Sequence, residues 1–155
     1  MNYEIIDKFL DEDQFLRTDL YLTTPQITSW FFNEKLGTIN FSHLFYSNMK
    51  PNSEKFELCA PLIEKLKVKS LLRAEAFLHF KTSKIEKIQP IKRYDFKHKS
   101  AIYFLNNNNG YIILNENDKI EAVENRMVIF DSDAITTLTN CTDKVYKATI
   151  EFHYF

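Results

Sequence analysis

Four histidines (His43, His79, His98 and His153), two cysteines (Cys59 and Cys141) and 21 acidic residues are the side chains here that could hold a metal, move a proton or attack an electrophile. None of the histidines stands in a His-x-Asp or His-x-Glu pair, and neither cysteine belongs to a CxxC or Cys/His cluster of the kind zinc needs. Both thiols are expected to be reduced core residues. GxGxxG, Walker, HExxH and GxSxG patterns are absent, and two glycines leave little material for a phosphate-cradling loop. Enzyme classes built on those motifs are excluded.

The chain has 155 residues, 45% of them hydrophobic, 15% aromatic and 26% charged, with a net charge of −1. No linker, repeat or compositional break divides it, so residues 1–155 read as a single globular domain. The charge is uneven. Residues 81–99 carry seven basic against two acidic side chains, a strip of +5 that leaves −6 on the rest. Such a strip could dock an anionic partner, but its bland reading is a solvated connection with lysines blunting a sheet edge. Nucleic-acid binding would rest on this charge alone. No apolar run reaches the roughly 18–20 residues of a membrane span, and the acidic start is unlike a signal peptide. The expectation is a soluble, non-secreted protein that binds no membrane.

The elements that must position these residues divide into a helical first third and a β-rich remainder. Residues 11–22 place Phe15, Leu16 and Leu20 at helical spacing behind an acidic start. Ser53 can cap a second helix whose stripe is Phe56, Cys59, Ala60, Ile63 and Leu66, with a kink or break at Pro61. From residue 67 the period becomes two. Val68, Leu72, Ala74, Ala76, Leu78 and Phe80 take one strand face, and Lys67, Lys69, Arg73, Glu75 and His79 the other. Strands at 100–105 and 111–114 flank Asn109-Gly110, which suggests a type I′ hairpin between them. Further strands are expected at 119–123, 127–130 and 145–155. The last alternates Tyr146, Ala148, Ile150, Phe152 and Tyr154 with Lys147, Thr149, Glu151 and His153. The spacing suits a sandwich or barrel. Alternation leaves open whether the polar face meets water or lines a barrel. The aromatic run Trp30-Phe31-Phe32 is expected in the core, with a partner anchor as the alternative.

Three segments carry a resemblance: FKHKSAIYFLNNNNGYIIL (96–114), ENRMVIFDSD (124–133) and NCTDKVYKATIEFHYF (140–155). They look like the C-terminal half of phage-encoded 2-oxoglutarate/iron(II) oxygenase-like proteins, relatives of prolyl 4-hydroxylases, and residues 39–78 resemble the same proteins. The resemblance implies a mainly β double-stranded β-helix, a cupin-like jelly roll backed by N-terminal helices. It also implies an iron site made by His-x-Asp and a distal His, and a basic residue that holds the far carboxylate of 2-oxoglutarate. Matched without a gap, the three ligand positions are Ile91, Arg93 and Thr136, and the basic position is Lys147. None of the three supplies an imidazole or carboxylate, and a guanidinium repels a cation. A one-residue shift would bring Asp95 to the acidic ligand position with both histidines still missing. His79 falls near an aromatic position that contacts the cosubstrate in the family. A relocated metal site could draw on His79, Asp131 or Asp133.

The expectation is therefore a pseudoenzyme: an oxygenase-like phage protein that has lost iron(II) and 2-oxoglutarate. It would bind a viral or host protein as an accessory or structural component, in the host cytoplasm or the virion. The alternative is an active dioxygenase with displaced ligands. With no metal to balance Arg93 and Lys147, a carboxylate should compensate them, and Glu151, Asp131 and Asp133 are the candidates. The other outcome is that these cations retain a dicarboxylate without iron.

Overall fold

The computed structural model describes residues 2–33 and 40–155. Among them, two antiparallel sheets form. The larger runs β1 (Tyr3–Ile6), β10 (Arg126–Asp131), β7 (Lys99–Phe104), β12 (Tyr146–Tyr154), β5 (Leu71–Phe80), β3 (Asn40–Ser47) and β2 (Phe31–Asn33), with β4 (Lys50–Pro51) paired to β3. The smaller runs β6 (Lys87–Ile88), β11 (Thr136–Thr139), β8 (Tyr111–Leu114) and β9 (Asp118–Glu121). Helices α1 (Glu12–Thr23) and α2 (Ala60–Lys65) accompany them.

The large sheet separates two cores. On its outer face Leu22, Leu58, Cys59, Leu62 and Leu66 pack with Ala74, Ala76, Tyr103, Ile150 and Phe152. On its inner face Ile102, Phe104, Val128 and Phe130 meet Ile112, Leu114, Ile120 and Leu138 of the smaller sheet. The apolar side of β5 and β12 therefore goes under the helices, and the polar side turns into the space between the sheets. Alternation left that choice open.

Helix α1 begins where expected, with the Asp11 carboxylate accepting from the Gln14 amide at 2.8 Å. Its buried face is rotated from the expected one: Thr18 and Leu22 are buried, whereas Leu16 and Leu20 are 53% and 55% exposed. The second segment starts as a 3-10 turn over Glu54–Cys59, capped by Ser53, and becomes α-helical at Ala60, just before Pro61. The change from three to 3.6 residues per turn shifts the inward face. Leu58, Cys59, Leu62 and Leu66 are buried and Ala60 is exposed.

The first third is less helical than its pattern suggested, since β1 to β4 all lie within it. Strand β3 escaped notice because a register shift between Leu44 and Tyr46 breaks its alternation. Strand β5 begins at Leu71, four residues later than expected. Asn109-Gly110 is not a hairpin turn, because β7 and β8 lie in different sheets. A tight turn with positive φ at both central residues forms instead at Asn48-Met49, between the paired Ser47 and Lys50.

The four asparagines 106–109 instead stitch the passage between sheets. Asn106 Oδ1 accepts from the Ala148 amide at 2.9 Å and Asn107 Oδ1 from the Glu124 amide at 2.9 Å. Asn109 Nδ2 donates to Thr142 Oγ1 at 2.6 Å, and its Oδ1 accepts from the Thr142 amide at 2.9 Å. Gly110 is needed for close approach: a Cβ there would lie 2.5 Å from the Asn140 carbonyl oxygen and 2.9 Å from Lys147 Cδ. Asn125, at φ 59°, ties the start of α1 to the sheet. Its side chain accepts from the Leu10 amide (2.9 Å) and the Tyr103 hydroxyl (2.8 Å) and donates to the Leu10 carbonyl (2.9 Å).

Candidate functional site

Strands β5 and β12 pair antiparallel over nine positions, so their inward residues face one another in rows: Lys147 with His79, Thr149 with Phe77, Glu151 with Glu75, and His153 with Arg73. Two alternating strands thus deliver a column of ionisable groups into one half of the inter-sheet space, the other half being apolar. The cavity there has a volume of about 760 Å³. Its wall is completed by residues 88–98, the connection that leads back into β7.

At the centre of the column Glu75 Oε2 accepts from Arg73 Nε at 2.9 Å, and an Arg93 Nη lies 3.1 Å from the same oxygen. The side chains of Arg73, Glu75 and Arg93 are 19%, 9% and 24% exposed, so the three-charge cluster is largely withdrawn from water. Glu151 sits opposite Glu75. Burial first, then the Glu75 charge, push its carboxyl up to about 7, against the opposing pull of Arg93, Lys147 and Arg73.

The imidazoles at the Arg73 end form a chain. His98 Nδ1 donates to the Phe96 carbonyl at 2.9 Å, which turns its Nε2 towards His153. His153 Nδ1 lies 3.0 Å from that Nε2 and 3.3 Å from the Ser100 hydroxyl, so the two rings share one hydrogen bond. Burial, aided by His98 and the two arginines, holds His153 down at about 3, so it is neutral at physiological pH. Tyr94 packs edge-on against both rings, at 5.3 and 5.8 Å between centroids.

At the opposite end Lys147 is 1% exposed and has no carboxylate within salt-bridge distance among the described residues. Burial pushes its ammonium down to about 8. His79 beside it is pushed down to about 3 by burial and by the Lys147 charge, and its Nδ1 is buried with no hydrogen-bond partner.

Three of the matched positions, Ile91, Arg93 and Thr136, do come together on this cavity, while Lys147 lies beyond its lining. Their chemistry does not fit iron. Ile91 is 43% exposed and inert, Arg93 is paired with Glu75, and the Thr136 hydroxyl donates to the Ala134 carbonyl at 3.2 Å. Asp95, the ligand under a shifted match, is 97% exposed beside Lys92. Of the relocated candidates, Asp131 is held by Lys99 outside the cavity lining, and Asp133, which lines the cavity, is held by Lys97. Among the described residues no three His, Cys, Asp or Glu side chains gather as a metal-holding group.

The carboxylate that meets Arg93 is thus Glu75, not one of the three expected. Glu151 is correctly placed in the column, and Asp131 and Asp133 are not. The alternation of residues 67–80 put Arg73, Glu75 and His79 on one face, so the signal for Glu75 existed. What was missing was the direction of that face. His43 is structural: its Nδ1 donates to the Ser29 carbonyl and its Nε2 accepts from the Ser53 hydroxyl, both at 2.6 Å. Cys59 and Cys141 are free and buried, and burial raises both thiols. Of the run expected in the core, Trp30 packs against it, whereas Phe31 and Phe32 are 64% and 54% exposed on the edge strand β2, which has a neighbouring strand on one side only among the described residues.

No protein-family model matches the sequence, and no curated protein matches it. Solved structures do match along nearly its whole length. A Trichoplax adhaerens prolyl hydroxylase, solved with a peptide fragment of the hypoxia inducible factor oxygen degradation domain, aligns at TM-score 0.67 and 14% identity, covering 99% of this chain and 83% of that one. A Pseudomonas putida prolyl-4-hydroxylase aligns at 0.60 and 12%, covering 98% and 91%. A Burkholderia pseudomallei oxidoreductase of the 2-oxoglutarate-iron(II) oxygenase family aligns at 0.65 and 7%, covering 98% and 83%. The fold is accordingly the double-stranded β-helix of 2-oxoglutarate oxygenases, as the resemblance implied.

Proposed function

We propose that this chain is a pseudoenzyme on the oxygenase fold, a binding protein that holds no catalytic iron. The observation that carries the reading is Arg93: it stands at a matched ligand position, lines the cavity and is committed to Glu75 at 3.1 Å. A guanidinium where a dication should sit raises the energy of the metal-bound state. His98 and His153, which line the same cavity, spend their facing nitrogens on each other.

The role proposed is that of an accessory or structural component that binds a viral or host protein, the phage origin following from the sequence resemblance. Exposed apolar side chains support a protein-binding surface: Leu16 and Leu20 on α1, Phe31 and Phe32 on β2. Under the ungapped sequence match Lys147 takes the basic position that would hold the far carboxylate of 2-oxoglutarate, and its burial opposite His79, away from the cavity lining, supports a vestigial role rather than a working one.

The test is anaerobic loading with iron(II), manganese(II) or nickel(II), followed by elemental analysis and an assay for succinate formed from 2-oxoglutarate. The expected result is no stoichiometric metal and no succinate above the protein-free rate. One equivalent of retained metal with succinate production would overturn the reading in favour of an active dioxygenase with displaced ligands.

A further inference from the structure

We propose that the arginine pair Arg73 and Arg93 has replaced the metal as the anchor of the cavity, and that the site takes an organic monocarboxylate with an apolar body. The inference deepens the metal-free reading above and rests on it.

Two guanidinia converge on a single oxygen of Glu75. Each guanidinium has five N–H donors. Arg93 spends one Nη on Glu75, and Arg73 spends Nε and one Nη, so donors remain on both side chains at the cavity wall. Glu75 balances one of the two charges. Glu151, the other carboxyl in the column, is held towards its neutral form by burial and by Glu75. With Glu75 balancing one of two guanidinia that are only 19% and 24% exposed and keep free N–H donors, the centre of the cavity favours binding one anion. The planar fork of arginine matches a carboxylate in two-point geometry.

The remainder of the wall sets the body of the ligand. Phe77, Tyr94, Phe96 and Ile102 line the same cavity, and its volume of about 760 Å³ is that of a small-molecule site. A purely polar anion would leave these side chains against water. An acid with an aromatic or aliphatic body covers them while its carboxylate reaches the guanidinia.

The probe is 3-phenylpropionate, titrated calorimetrically into the protein with EDTA present, alongside its neutral amide and inorganic phosphate. The expected result is binding of the carboxylate at least tenfold tighter than the amide and tighter than phosphate. Arg93→Gln should weaken the carboxylate at least tenfold, and Lys84→Gln, which removes an exposed cation away from the cavity, should leave it unchanged. Arg93→Lys keeps the charge without the fork and should fall between. Should Arg93→Gln fail to fold, the comparison of acid with amide on the native chain decides alone. Equal affinity for acid and amide, no binding of either, or phosphate binding more tightly would overturn the inference. Metal content measured on the same samples separates the two failures. A metal-free protein that ignores the carboxylate refutes this inference only, whereas one equivalent of metal refutes the reading beneath it.

Discussion

Glu151 faces Glu75 across the β5–β12 ladder, with Arg73 on β5, Arg93 from the connection, and Lys147 and His153 on β12 as its charged or titratable surroundings. Its carboxyl is raised from 4.5 to about 7 in the folded chain, so the folded state holds a proton that the unfolded state has already released. Between those values stability falls as pH rises: the contribution is present in full below about pH 4.5 and lost through pH 7. Glu151→Gln keeps the shape and removes the ionisation. The variant is expected to match the parent near pH 4.5 and to exceed it by about 3 kcal/mol at pH 8, read from urea unfolding at both values. A constant difference across that range would mean that Glu151 ionises freely in the folded protein.

At the scale of elements, the connection 106–110 shows how a residue pattern and its cause can part company. Asn109-Gly110 reads as a hairpin turn, yet the chain there leaves one sheet for the other. Glycine is required because the Asn140 carbonyl and the Lys147 side chain press against it. Gly110→Ala should therefore destabilise by about 1–3 kcal/mol, since backbone as well as side chain must move to admit a methyl group. A melting temperature equal to the parent's would contradict the close approach. The strands that were legible are β5 and β12, through their apolar–polar alternation, β7, β8 and β10, apolar runs between turn residues, and β9. Those that were missed are short, as β1, β2, β4, β6 and β11 are, or interrupted, as β3 is at Leu44.

For the molecule as a whole, the large sheet belongs to both cores, one face to the helices and the other to the small sheet. Neither layer can lose the sheet without exposing apolar surface of the other. Unfolding is expected to be a single transition, with the fluorescence of Trp30, which packs against the helix-side core, and far-ultraviolet circular dichroism coinciding in urea. Separated midpoints would show that the layers unfold independently. The basic strip is less bare than its +5 suggests. Lys92, Lys97 and Lys99 pair with Asp95, Asp133 and Asp131, and Arg93 is turned inward.

From the sequence alone came the mainly β architecture with its helices, the two-faced character of β5 and β12, the break before Pro61 and the absence of histidines and carboxylates at the matched ligand positions. Each of these is a local property, set by side-chain periodicity, backbone preference or residue identity within one segment. Which face of β5 and β12 turns inward depends on where the helices lie, and the partner of Arg93 depends on which residue of β5 stands beside Glu151. Those are contacts between residues 18 to 76 positions apart in the chain, and only the pairing of strands brings them within hydrogen-bonding distance or into register.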